Sequence, residues 1–311
     1  IRMGYQAGNA TILWLLDSNG YLIGCTRDRQ NGINAWHFHA IGGVYQNEGA
    51  WVEDMCVLPS KDATNDDVYL VVKRSINGST VRYIERIPAQ YRKELLFDDL
   101  NKSTYAANDP SDVSLGSVLG TYADNKPCFV DSQWVARVAS GPPAVPSLTF
   151  PNFGHLVDQT VDVIVDGAYE GQKVVTFSTN TKVYKQGTIT LDHTAYEVIA
   201  GFPYTSTIIT APIDVGSQIG SAHAQIQRID QAVLRFDHTC AAEVGRDIDH
   251  LEAINFFESN QILPGYTAPF SGLKEVSFSG DYARETTVVV QTDVPLPMTL
   301  VSISLRGQTY D

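Results

Sequence analysis

In the N-terminal third of the chain, apolar side chains come in short runs broken by turn residues, not at the three-to-four spacing of a helix. The stretch "ILWLLDSNGYLIGCT" holds one such run, then Asp17-Ser18-Asn19-Gly20, then a second run. Asn-Gly tolerates positive φ, so the pattern predicts a hairpin. A second unit follows: "VEDMCVLPS", then Val68–Ile76 and Thr80–Ile87 around an Asn77-Gly78 turn. Their Val, Ile, Tyr and Thr content favours strands. Residues 1–97 therefore read as two successive β-meanders, the pattern of propeller blades.

The alternation weakens over residues 98–150, where "NKSTYAANDPSDVSLGSVLG" is polar and turn-rich and "ASGPPAVPS" reads as a linker. This segment is expected to be a divergent blade or an insertion. Residues 151–311 become strand-rich again, through "QTVDVIVDG", "KVVTFS", "GTITLD", "TTVVVQTD" and "MTLVSISLRG". They predict a β-rich platform, sandwich-like or barrel-like. Over 222–236 two periods compete: Ile226, Ile229, Val233 and Leu234 fit a helix face, while Ala232, Leu234 and Phe236 fit a strand. The strand is the expected form. The fold class is thus all-β, propeller-type antiparallel meanders followed by a platform.

The chain has 311 residues, 43% of them hydrophobic and 18% charged, the composition of a folded globular protein. No apolar run approaches the roughly 18 residues of a membrane-spanning helix. The first residues carry neither an initiator Met nor a signal peptide, so a fragment or processed product is expected. A net charge of −13 argues against a polybasic grip on nucleic acid. It is compatible with a surface past which DNA slides. Cys25, Cys56, Cys128 and Cys240 are scattered, with no Cys-x-x-Cys pair, which suggests reduced thiols.

Phosphate-loop, dinucleotide-binding, zinc-protease and nucleophile-elbow motifs are absent. "GRDIDHLE" gathers Asp247, Asp249, His250 and Glu252, but lacks the glycine and distal glutamate of an EF-hand. It reads as a solvated acidic loop. Asp66 with Asp67, and Asp98 with Asp99, offer carboxylates of the type glycosidases use. Adjacent strand residues point to opposite faces, however, and turns favour Asp. "FPYTSTIIT" reads as a strand whose hydroxyls bond across strands. The basic residues of "VVKRS" and "RIDQAVLRF" read as a solvated strand face.

"AWHFHAIGG" remains. His37 and His39 share one face of a strand. Two imidazoles suit a transition metal, but a closed site needs about four ligands, the rest supplied from elsewhere. No catalytic, cofactor-binding or metal-ligating residue is assigned, and the chain is not read as an enzyme.

Taken in order, several segments resemble the tail nozzle family of short-tailed bacteriophages, the tail tubular protein B family. They are "ILWLLDSNGYLIGCTRDRQNGINAWHFHAIGG", "DDVYLVVKRSINGSTVRYIERI", "HLVDQTVDVIVDG", "GFPYTSTI" and "QTDVPLPMTLVSISLRG". The family's chains are longer, so the resemblance is to its C-terminal part, and residues 97–152 match poorly. The resemblance implies a virion structural protein assembled in the host cytoplasm. It implies a homo-hexameric ring, a tail adaptor and fibres or spikes as partners, and genomic DNA passing through the channel without sequence-specific binding. A host surface receptor is a further candidate partner. On this resemblance "AWHFHAIGG" is a blade strand, with Trp36 packed inside and His39 at the family's recurrent His.

A second reading stays open, a carbohydrate-binding or glycan-cleaving β-protein. Trp36, Trp51 and Trp134 are its candidate stacking residues, and fold alone does not fix function.

Overall fold

The computed structural model describes residues 1–8, 11–29, 31–59, 66–87, 128–138, 146–178, 186–212, 226–256, 269–278 and 282–310. Among them the chain is all-β, with several antiparallel sheets, none closed on itself, and no α-helix. It divides into two compact units. The first comprises Ile1–Lys126, Val130–Asp166 and Glu170–Tyr204; the second comprises Pro127–Phe129, Gly167–Tyr169 and Thr205–Asp311.

The first unit opens with β1 (Arg2–Gln6), β2 (Thr11–Leu16), β3 (Leu22–Asp28) and β4 (Ile33–His39), an antiparallel sheet in chain order. A small hairpin, β5 (Val44–Tyr45) and β6 (Glu48–Gly49), leads into β7 (Trp51–Pro59), β8 (Asp66–Ile76) and β9 (Ser79–Ile87), a second meander. Trp14, Leu16 and Leu22 of the first sheet and Val52, Val68, Leu70 and Val72 of the second form one buried cluster. Gly4 allows the close approach: a Cβ there would lie 2.7 Å from Met55 and Val57 side chains of β7. The two meander sheets thus stack face to face; propeller blades are not thereby defined.

The two Asn-Gly turns differ. Asn77 and Gly78 both have positive φ, 48° and 69°, the form a two-residue hairpin needs. In the first hairpin only Gly20 does, because Leu16 pairs with Leu22 and leaves a five-residue loop. There Asp17 accepts the Ser18 N–H at 2.6 Å and orders the loop instead.

The rest of the first unit uses β10 (Asp131–Arg137), β11 (Ser147–Phe150), β12 (Thr160–Val165), all but the first two residues of β13 (Ala168–Val174), β14 (Thr176–Ser178), β15 (Gln186–Ala195) and β16 (Glu197–Phe202). One sheet runs β10-β16-β12-β13 and another β11-β15-β14. Their core holds Phe150, Phe153, Leu156, Val161, Val163, Ile189, Val198 and Phe202, and it also takes Ile76 from β8. Val81 and Tyr83 of β9 pack on the same core. This is why the compact unit runs on to Tyr204, past the sequence boundary at 150. Most of the expected divergent segment, including Asp98 and Asp99, lies outside the described residues.

The second unit contains β17 (Ser206–Ile209), β18 (Ile226–Thr239), β19 (Glu243–Gly245), β20 (Leu251–Ala253), β21 (Phe270–Ser277), β22 (Val289–Thr292) and β23 (Leu300–Tyr310). Two sheets, β17-β22-β19-β20 and β21-β18-β23, enclose Ala232, Leu234, Phe236, Val244, Phe256, Val288 and Val290. The ambiguous segment is a strand from Ile226 onward; residues 222–225 lie outside the described residues.

Candidate functional site

His37 and His39 do share a face of β4, and they meet. His37 Nδ1 and His39 Nε2 share a hydrogen bond at 2.6 Å, and His37 Nε2 lies 2.9 Å from Thr26 Oγ1. The His37 ring occupies the space that a side chain at Gly24 would fill. The His39 ring tilts against Trp14, with centroids 4.8 Å apart. Burial, then the neighbouring His37, holds His39 down at about 4, and burial also lowers His37. These are neutral imidazoles in a packed pair. Among the described residues no group of three or more His, Cys, Asp or Glu could hold a metal ion.

The opposite face of this sheet departs from the expectation for Trp36. It does not pack inside: Trp36 is 61% exposed and Phe38 79%. The reason is parity. His37, His39, Trp14, Leu16 and Leu22 face the second meander, so Trp36 and Phe38 must point away. Two cross-strand rows lie on this outer face, Met3–Leu15–Ile23–Phe38 and Tyr5–Leu13–Cys25–Trp36. Both faces of the sheet are thus apolar, whereas an antiparallel sheet with one wet face alternates apolar and polar. The other two candidate stacking residues are half-buried: Trp51 packs beside Gly20, and Trp134 lies against His155.

The outer face of the neighbouring meander is different. Ile84 is 79% exposed there, and Val71 lies beside it. Charged residues surround them in pairs: Glu53 binds Lys73 at 2.8 Å and Arg82 at 2.7 Å, and Asp67 binds Arg86 at 2.8 Å. Hydrogen bonds from Arg82 and then Lys73 hold Glu53 down at about 2.

A buried polar junction escaped the sequence reading. Arg74 of "VVKRS" does not sit on a solvated face; it is fully buried. On β8 it shares the inward side of Leu70, Val72 and Ile76, which the strand's alternation already indicated. Its guanidinium makes a two-bond pair with Glu85 and donates from Nε to the Gly42 carbonyl at 2.7 Å. It also lies over the Phe202 ring, 4.9 Å from the centroid. Gly42 donates its N–H to Asp131 Oδ2 at 2.6 Å. Burial pushes the Asp131 carboxyl up to about 6. Nearby, the Tyr83 hydroxyl donates to the His155 carbonyl at 3.0 Å. The junction ties the Gly42-Gly43 turn to β8 and β10.

The remaining candidates resolve into turns and pairs. Asp66 Oδ2 accepts the Ala7 N–H at 2.8 Å, and Asp67 is occupied by Arg86. Asp247 Oδ1 accepts the Asp249 N–H at 3.0 Å and pairs with His250 Nδ1 at 2.6 Å, which lowers the Asp247 carboxyl. Thr207 Oγ1 donates across strands to Gln291 at 3.0 Å.

One constellation was not anticipated: Asp237, His238 and Ser271 meet at a bulge of β18, where His238 has φ 47°. Both Asp237 Oδ1 and Ser271 Oγ lie at the same ring nitrogen, Nδ1, at 2.6 and 3.5 Å, and the hydroxyl donates to the carboxylate. A catalytic triad needs serine and aspartate on opposite nitrogens. This cluster secures a bulge.

No disulfide joins the four cysteines. Burial pushes the Cys240 thiol up to about 12. No protein-family model matches this chain, and a search of curated proteins returns no relative.

Among the described residues, the feature with most capacity for interaction is therefore the exposed apolar face of β1–β4.

Proposed function

We propose that the chain is a structural component of a short-tailed bacteriophage tail, part of a ring-shaped nozzle through which the genome leaves. The observation that carries this reading is where the family-like segments fall. "ILWLLDSNGYLIGCTRDRQNGINAWHFHAIGG" supplies β2–β4, and "DDVYLVVKRSINGSTVRYIERI" supplies β8 and β9. "HLVDQTVDVIVDG" supplies β12, "GFPYTSTI" spans β16 and β17, and "QTDVPLPMTLVSISLRG" spans β22 and β23. The resemblance thus covers core strands of both units rather than one local motif.

In this role the protein does mechanical work: it holds a channel, docks an adaptor and fibres, and lets duplex DNA pass. A lumen without a ring of unpaired Lys and Arg gives phosphates no strong site at which to stall. The net charge of −13 fits such a lumen. DNA retention at low salt tests the conduit. Weak retention with a shallow salt slope is expected; tight, strongly salt-dependent binding of duplex would overturn it.

A further inference from the structure

We propose that the exposed face of β1–β4 is a contact between copies, covered by the outer face of β7–β9 of a second copy of this chain. The proposal rests on the ring reading above and names its subunit contact.

Amount of apolar surface is the first argument. Trp36, Phe38 and Tyr5 are each more than 60% exposed. Together they bare roughly 400 Å², as much as a monomer's largest apolar patch commonly does. That is about half the ~800 Å² per partner of a standard interface. Neither cross-strand row carries a charged side chain, so covering them buries no uncompensated ion.

The molecule itself shows what fits such a surface. The inner face of the same sheet, with Trp14, Leu16 and Leu22, is covered by the inner face of β7–β9. A further meander sheet on the outer face repeats that sheet-on-sheet step, at the roughly 10 Å spacing of packed sheets. The outer face of β7–β9 offers Val71 and Ile84 for the apolar rows. It offers Arg82 and Arg86 for the faces of Trp36 and Phe38, since guanidinium groups stack on aromatic rings. Those arginines keep their carboxylate partners Glu53 and Asp67. Joining one end of the sheet pair to the other is a heterologous contact, the kind that closes into rings.

Cysteine cross-linking tests this in a Cys56→Ser background, which removes the exposed native thiol. Phe38→Cys and Ile84→Cys chains are prepared separately, each position being 79% exposed and outside the core. They are oxidised alone and as an equal mixture. The expected result is a covalent dimer in the mixture and little in either variant alone. A Phe38→Cys chain that cross-links to itself overturns the proposal, because the face then pairs with its own copy. Absence of mixed cross-links in a sample that still images as a ring overturns this contact and leaves the ring. Absence of mixed cross-links in a chain that is monomeric overturns both. As a second check, Phe38→Asp should weaken assembly by about thirtyfold, the scale of an interface hot spot, with an unchanged circular dichroism spectrum. An assembly indifferent to Phe38→Asp also overturns the proposal.

Discussion

Asp131 and Gly42, 89 residues apart, are joined by a 2.6 Å hydrogen bond from the glycine N–H to the carboxylate Oδ2. The carbonyl of the same glycine accepts a hydrogen bond from the buried Arg74 Nε. Two strands from different sheets therefore grip one glycine. The glycine has no alternative: a Cβ at Gly42 would lie 2.8 Å from both the Phe202 Cβ and the Pro203 carbonyl.

Arg74→Met is expected to destabilise the first unit by about 3 kcal/mol, because it leaves Glu85 and the Gly42 carbonyl without a buried donor. Urea denaturation measures it. Adding Glu85→Leu should recover a large part of the loss, since replacing a buried pair by apolar groups is often nearly neutral. A double variant no better than Arg74→Met would contradict the ion-pair account.

Two half-buried groups give opposite pH dependences. Asp131 is raised from 3.8 to about 6, so the folded state binds its proton more tightly and this group adds stability as pH falls through that range. His39 is lowered from 6.5 to about 4, so its contribution is present above 6.5 and is lost on acidification towards 4. Each is worth up to roughly 3 kcal/mol at full burial, and less for partly exposed groups. Relative to the parent chain, Asp131→Asn should lose stability more steeply between pH 6.5 and 4. His39→Gln should gain stability across the same interval. Thermal melts across that range read both slopes, and slopes of the same sign would refute the assignment.

Gly24→Ala is expected to cost about 1 to 2 kcal/mol, because the new methyl displaces the His37 ring that lies over this position. Moving the ring also breaks its contacts with Thr26 and His39. His37→Ala should make Gly24→Ala nearly silent. A double-mutant cycle gives the coupling, and additive losses would mean that the ring was not the obstacle.

How far the sequence carried depends on parity. The stacked meanders were legible because β8 alternates without interruption from Val68 to Ile76. The same alternation puts Arg74 inside, although a basic residue between Lys73 and Ser75 has the composition of a solvated face. Trp36 points outward for a related reason: His37 and His39 hold the inner positions of β4, so the aromatics of this strand fall on its other face. In β18 the register shifts between Ile229 and Gln231. Gln227 lies inside before the shift, and Ala232, Leu234 and Phe236 after it. A bulge that switches parity mimics a non-strand period, which is why the helix competed. The Asp131–Gly42 bond joins a strand to a turn 89 residues away, and no local pattern announces it.

Whether the chain forms a ring is read from solution mass by light scattering across a concentration series, with negative-stain imaging of the same sample. A six-fold ring with an open centre is expected. A chain that remains monomeric at every concentration, with no ring in the images, would contradict it.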